Sequence, residues 1–290
     1  MLVLGLETST SRSSVALVDA DRVVASASLG IPRRHGEFIA PAIRFCLEQA
    51  QIDVERIGGV AVGVGPGLYT GLRVGIATAQ TFAAGLHLPV VGLSGLDVLA
   101  FQVRSTSRPI CAAIDARRGE VFWAFYRSSP GGVQREGELM IGRAEQLAAE
   151  IQSFGEDVLV VGDGALAHRE VLAETDAILG GTANAWPEAA GLAELAVPRF
   201  VREETTRPDQ LRPIYLRQAD ARIGWEVRGR LRGGVGGTEP GDGGTEPGDG
   251  GTGDAGAAGT GDGGVAGSDG TGAAGTGDTG ATGPDGDPTS

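Results

Sequence analysis

The chain contains no lysine: its 24 basic residues are all arginine, and all lie within residues 1–232. That segment carries a net charge of −3 and the rest of the chain −10, so the overall −13 belongs mostly to the C-terminal end. A nearly balanced segment exerts no general pull on nucleic acid. If the protein serves RNA, a partner or a local patch must supply the positive charge. Histidine is scarce as well. His35, His87 and His168 are scattered, and no Ser–His–Asp or Cys–His arrangement can be drawn through them. The two cysteines, Cys46 and Cys111, sit in apolar periodic segments without metal-type spacing and read as buried free thiols. Uninterrupted apolar stretches are also missing. Residues 74–96 carry no formal charge, but Gln80, His87, Pro89 and glycines break them into a helix, a turn and a short buried strand rather than a membrane span. The opening MLVLGLETS has no basic flank and meets Glu7 at once, so it reads as a strand and not a signal peptide; a cytoplasmic location is expected.

Residues 233–290 hold no aromatic and no basic residue. They are built mainly from Gly, Asp, Thr, Ala, Glu and Pro, with GGTEPGD occurring twice. Ordering 58 such residues costs about 60–115 kcal/mol, and almost no apolar side chain is present to offset it. The segment is therefore expected to be a disordered tail. Glycine keeps no strict three-residue period, which excludes collagen, and the nonapeptide repeat of calcium-binding RTX segments is absent.

What the sequence does have is GPGLYTGLR at residues 65–73, between an apolar run at 59–64 and a small-residue-rich helical stretch at 72–86. Its Gly65, Pro66, Gly67, Thr70, Gly71 and Arg73 are not core-filling residues as a set. Such a loop brings backbone close to something, or makes a tight strand-to-helix turn whose N–H groups offer an anion or a partner a place to dock. A plain tight connection accounts for it equally well.

Around this loop, residues 2–7, 13–19 and 22–29 read as three strands, the last two forming a hairpin. Residues 36–50 read as a helix, 59–64 as a buried strand, 72–86 as a helix, 90–93 as a strand and 95–103 as a helix. A second apolar strand at 110–115 begins a similar order. It leads through a turn at Arg117-Arg118-Gly119 to a strand at 120–127, a helix at 143–153, a strand at 157–162, a helix near 165–173 and a long helix at 188–201. Two α/β lobes of like strand order predict a duplicated architecture of the actin-like/sugar-kinase/Hsp70 type. The expected division is an N-terminal lobe over 1–105, a second lobe over 106–217, an Arg-rich connector over 218–232 and the tail over 233–290.

Three groups of residues are candidates for function. Glu7, Thr8, Ser9 and Thr10 lie between the first two strands, where hydroxyls and N–H groups are able to hold a phosphate; an ordinary Ser/Thr turn is the commoner use. The turn at 115–120 places arginines where they would meet phosphate or a carboxylate, with a charged hairpin turn as the plainer reading. The helices at 36–50 and 72–86 are apolar beyond one stripe. Phe38, Ile39, Ala42, Ile43, Phe45, Cys46, Leu47 and Ala50 nearly encircle the first, and Val74, Gly75, Ile76, Ala77, Ala79, Phe82, Ala83 and Ala84 enrich the second. A helix covering one sheet face needs only a stripe, so Phe38, Ile39, Ala42, Ile43 and Cys46 of the first and Gly75, Ile76, Ala79 and Phe82 of the second are expected to form a protein–protein face, with deep packing as the alternative. Gly75 and Ala79, four apart, are expected to admit another helix closely.

Four segments, LGLETSTSRSSVAL, GVGPGLYTGLRVGIATAQTFA, VGLSGLDVLA and AAIDARRGEVFWAFY, in this order and spacing resemble the TsaB (YeaZ) family over roughly residues 1–217. The Leu68-Tyr69 pair departs from the family's usual Ser-Phe. The resemblance implies a subunit of the bacterial machinery that makes N6-threonylcarbamoyladenosine in tRNA. It implies an actin-like fold, pairing through the N-lobe helices with the catalytic paralogue TsaD, and association with the ATPase TsaE. Transfer of threonylcarbamoyl from its adenylate to tRNA belongs, on this resemblance, to TsaD. TsaD-type chains carry a His-x3-His metal pair at the start of the first helix, whereas here His35 is followed by Ile39. The second-lobe Gly-Gly-Gly-x-x-Asn nucleotide stretch is also missing, Val161-Gly162-Asp163-Gly164 being the nearest match. A non-catalytic scaffold that activates TsaD is expected. It would have no catalytic residue, metal or cofactor of its own, ATP, ADP or threonylcarbamoyl-adenylate would bind if anywhere at the junction with TsaD, and tRNA would be reached only through the complex. Homodimerisation in isolation is left open. The competing reading is a free-standing ATPase or small-molecule kinase using the loop at 7–11. A third, the "glycoprotease" label of related sequences, lacks the metal or nucleophile it needs.

Overall fold

In a computed structural model, residues 1–216 apart from Asp21 are described; the expected connector (218–232) and tail (233–290) lie outside the described residues. The first strand, β1 (Leu2–Glu7), alternates its side chains between two cores, as a strand buried on both faces must. Leu2, Leu4 and Leu6 enter one core and Val3 the other. β1 pairs antiparallel with β2 (Ser13–Asp19), which pairs antiparallel with β3 (Arg22–Leu29). On its other side β1 runs parallel to β4 (Ile57–Gly65), and β4 to β5 (Val90–Ser94), giving the order β3-β2-β1-β4-β5.

The same plan recurs. β6 (Ile110–Arg117) pairs antiparallel with β7 (Glu120–Ser129), and β7 with β8 (Gly132–Arg143). β6 runs parallel to β9 (Leu159–Val161), and β9 to β10 (Ile178–Leu179). The order β10-β9-β6-β7-β8 repeats the first sheet strand for strand. This is the duplicated α/β plan of the actin-like fold.

Helices α1 (His35–Ala50) and α2 (Tyr69–Gly85) cover one face of the first sheet, and their Ile39, Ile43, Ile76 and Ala79 share a core with the β1 leucines. The opposite face is covered by α7 (Ala189–Val201), whose Leu192, Ala193 and Ala196 meet Val3, Ala16 and Ala61. α7 follows the second sheet in sequence but packs on the first. α3 (Gly95–Gln102), capped by the Ser94 hydroxyl accepting from Leu96 N at 3.2 Å, turns Leu96 and Leu99 onto the second sheet and Val98 toward α7. α4 (Ala144–Ser153), α5 (Asp163–Ala167) and α6 (Arg169–Leu172) close the far side of the second sheet. The result is an alternation of helix and sheet layers with a core on each sheet face. Each fully buried leucine, such as Leu4 or Leu96, contributes about 1.5–3 kcal/mol.

β8 and β10 are not expected from the sequence. β8 is an edge strand whose Arg135, Glu136 and Glu138 face solvent, so its apolar pattern is diluted by charges that keep an edge from pairing. β10 is only two residues long.

Candidate functional site

The loop after β1 and the loop before α2 are built against each other. Leu68 N donates to Ser9 O at 2.7 Å, and the Thr8 hydroxyl donates to Gly71 O at 2.8 Å. This contact explains the glycine spacing. Gly63, Gly67, Gly71 and Gly75 fall four residues apart, and a Cβ on any of them would collide with the segment 7–9. At Gly67 and Gly71 the obstacle is backbone, the carbonyls of Ser9 and Thr8, which cannot swing aside. The motif is therefore a close seat for the β1–β2 loop, reached through a cis Gly65–Pro66 peptide. Thr70 and Arg73 face outward.

Glu7, Thr8, Ser9 and Thr10 are shut from solvent. Glu7 Oε1 accepts from Ser9 N at 2.6 Å, while Oε2 has no partner. Burial, only partly opposed by the hydrogen bonds from Ser9 and Thr8, pushes the Glu7 carboxyl up from 4.5 to about 7. The Ser9 hydroxyl is also buried without a partner. The loop's polar groups are turned into the protein.

Residues far apart in sequence cover the loop. Trp186 Nε1 donates to the Ser11 hydroxyl at 3.2 Å, and Arg12 lies over the Trp186 ring and pairs with Glu188 at 3.2 Å. Gln102 fixes the strap formed by residues 186–188, donating to Trp186 O at 3.2 Å and accepting from Glu188 N at 2.8 Å. Arg12 falls in the first of the family-like segments, but Gln102, Trp186 and Glu188 stand in none of them. Trp186, one of three tryptophans in the chain, was the available signal.

His35 is buried at the start of α1, its Nδ1 sharing a hydrogen bond of 2.6 Å with the Ser13 hydroxyl. Ile39, at the next turn, is buried in the core. In the second lobe, Asp163 Oδ1 accepts from Asp115 N at 3.0 Å, and a Cβ on Gly162 would strike Ala113 O. The Val161–Gly164 stretch is thus spent on packing against β6. Burial raises the Asp163 carboxyl from 3.8 to about 6. The turn after Asp115 is a charged hairpin turn, in which Arg117 folds back on Asp115 at 2.9 Å.

The expected partner face needs correcting in detail. Ile39, Ala42, Cys46, Gly75, Ile76 and Ala79 point into the sheet, Ile43 is buried but lines the groove between the two helices, and Phe38 and Phe82 are half-buried. Gly75 is small to admit Thr8 rather than another helix. The apolar excess is real, but it sits one step round each helix. Phe45 is 50% exposed, and between α1 and α2 runs a groove of about 670 Å³. Its walls include Ala40, Leu47, Ala77 and Phe82, with Thr78 and Thr81 along α2 and Arg44 and Glu48 on α1.

Two lobes of one strand order, joined so that a hydroxyl-rich loop links the first two strands of the first, place the chain in the actin-like class. The protein-family model described as TsaD, tRNA N6-adenosine threonylcarbamoyltransferase, matches residues 30–225. The chain is 31% identical over 220 residues to the tRNA threonylcarbamoyladenosine biosynthesis protein TsaB of Escherichia coli K12, covering 75% of this chain and 95% of that protein. It is 28% identical to the protein of the same name from Bacillus subtilis, covering 78% and 98%. A solved structure of YeaZ from Pseudomonas aeruginosa superposes with a TM-score of 0.66 at 31% identity, covering 74% of this chain and 99% of that one. A second Pseudomonas aeruginosa structure, described as an uncharacterized protein with similarity to peptidase YeaZ, gives 0.67 at 32%. The chain belongs to the TsaB (YeaZ) family.

Proposed function

We propose that this chain is a non-catalytic scaffold of tRNA N6-threonylcarbamoyladenosine synthesis, which docks on a TsaD-type catalytic subunit through the groove between α1 and α2 and supports its active site. The observation that carries the reading is that open, largely apolar groove on helices whose inward faces are committed to the core. A groove of this kind left uncovered is a cost in water that a partner removes. The inward-turned loop at 7–10 supports the other half of the reading. Glu7, Thr8 and Ser9 are engaged with the α2 approach or buried behind it, so nucleotide chemistry is assigned to the partner or to the junction. TsaE and tRNA join through the assembled complex.

The test uses groove residues that do not hold the fold. Ala77 and Thr81 are exposed, so Ala77→Arg and Thr81→Arg should leave the melting temperature unchanged and abolish co-purification with the TsaD-type subunit. Undiminished co-purification by both variants sinks the docking face. Micromolar ATP binding with turnover by the isolated chain would overturn the scaffold reading in favour of a free-standing ATPase.

A further inference from the structure

The fold assembles an exposed cation–aromatic stack that neither the core nor the groove uses. Tyr69, in the first turn of α2, stacks on Tyr215 with ring centroids 5.6 Å apart and planes inclined by 29°. The Arg73 guanidinium, one turn along α2, lies 4.2 Å from the Tyr69 ring centroid. The two tyrosines are 53% and 48% exposed, among the largest apolar surfaces left open in the described residues. Tyr215 is held there by the chain just before it, since Ile214 N donates to Val64 O at 2.7 Å. The stack is thus built by backbone pairing across the whole length of the domain.

Its surroundings are basic. The first turn of α1 abuts that of α2, with His35 Nε2 at 3.4 Å from the position of a Gly71 Cβ. Arg33 and Arg34, immediately before His35, are exposed. Of the three arginines at this end, Arg34 is paired with Glu37. Arg33, Arg34 and Arg73 against Glu37 leave this end net positive, opposite in sign to the chain's overall −13. Exposed aromatic rings interleaved with arginine are what an unpaired nucleic-acid strand requires: the rings take bases by stacking, and the guanidinium groups take phosphates or stack in turn. Tyr and Arg also suit a protein contact, which the experiment below separates from RNA, whereas an anionic small molecule has no use for two open rings.

We propose that Tyr69, Tyr215 and Arg73 form a stacking platform for an unpaired segment of RNA, so that this chain itself touches the RNA substrate. The proposal rests on the role in tRNA modification given above. It does not rest on the groove: Tyr69 and Ala77 are separated by eight residues of helix, about 12 Å along the axis, so a partner seated in the groove leaves the platform at its rim.

The experiment measures binding of a labelled, unstructured RNA oligonucleotide, and of whole tRNA, by fluorescence anisotropy at low and at physiological salt. It uses the full chain alone and in complex with the TsaD-type subunit. Tyr69→Ala and Tyr215→Ala should each weaken RNA binding about five- to hundredfold, while Tyr69→Phe, which keeps the ring, retains it. Arg73→Gln should weaken binding and flatten its salt dependence. RNA binding by the alanine variants equal to wild type overturns the platform, as does a loss confined to assembly with the partner, which would make the stack a protein contact. Failure of the groove reading appears separately, as wild-type chain that binds RNA but never forms the complex.

Discussion

Glu7→Gln should make the protein more stable at neutral pH while leaving it almost unchanged in mild acid. The carboxyl ends β1 beside Gly63, with one oxygen accepting from Ser9 N and the other unpartnered. Burial holds it at about 7 instead of 4.5. The folded state therefore keeps a proton that the unfolded chain releases between those two values. With more protons bound when folded, stability falls as pH rises through that window and stays lowered above it. At about 1.4 kcal/mol for each tenfold in proton affinity, the full difference is about 3 kcal/mol. Glutamine preserves the acceptor for Ser9 N and carries no charge to desolvate. Urea unfolding of both proteins from about pH 3.5 to about pH 8 checks this: the two midpoints should coincide at the acid end and diverge steadily above about pH 4.5, with the variant gaining up to about 3 kcal/mol. Asp163 is raised by burial in the same direction, but it is common to both proteins and cancels in the difference. Parallel pH profiles would refute the assignment of a neutral, buried Glu7.

Gly71→Ala forces a Cβ onto Thr8 O and disturbs the Thr8 hydroxyl bond to Gly71 O, so it should cost about 1–3 kcal/mol in chemical denaturation, whereas Gly85→Ala, with open space at its Cβ, should cost nothing and raise helix propensity. Burial lowers the His35 imidazole below 6.5, so the unfolded chain takes up this proton first on acidification. Its contribution to stability is full above about 6.5 and declines below it, and an NMR titration of the ring should show a midpoint under the unperturbed value. Cys46 and Cys111 are fully buried and their thiols are pushed upward by desolvation, so a thiol reagent should modify both only at the rate of unfolding; rapid labelling of either in native protein would contradict that packing.

Most of the fold is legible in the residues. The β1 segment alternates between two apolar faces, the helices at 35–50 and 69–85 show helical spacing, and the similar order of strands after residue 110 announces the duplication. The glycines at 65–71 announce a close backbone approach, but that the segment approached is 7–9 is not legible, since more than fifty residues separate the two. What periodicity does not give is which side of an apolar helix faces inward. Gly75 and Ala79 have the look of a partner seam, yet they serve Thr8 and the sheet, because a small residue admits whichever backbone the fold brings first. β8 escapes notice because an edge strand trades apolar alternation for charge. The strap of Arg12, Trp186 and Glu188 and the stack of Tyr69 on Tyr215 join residues nearly a whole domain apart, and no local pattern encodes such pairs.

The scaffold reading turns on where a partner lies. Hydrogen–deuterium exchange of the full chain, alone and saturated with the TsaD-type subunit, measures that directly. Protection should concentrate in peptides spanning Ala40 to Glu48 and Ala77 to Phe82, the two walls of the groove, with the strap at 186–188 unchanged. Protection confined to the second sheet, or none at saturating partner, would contradict the account.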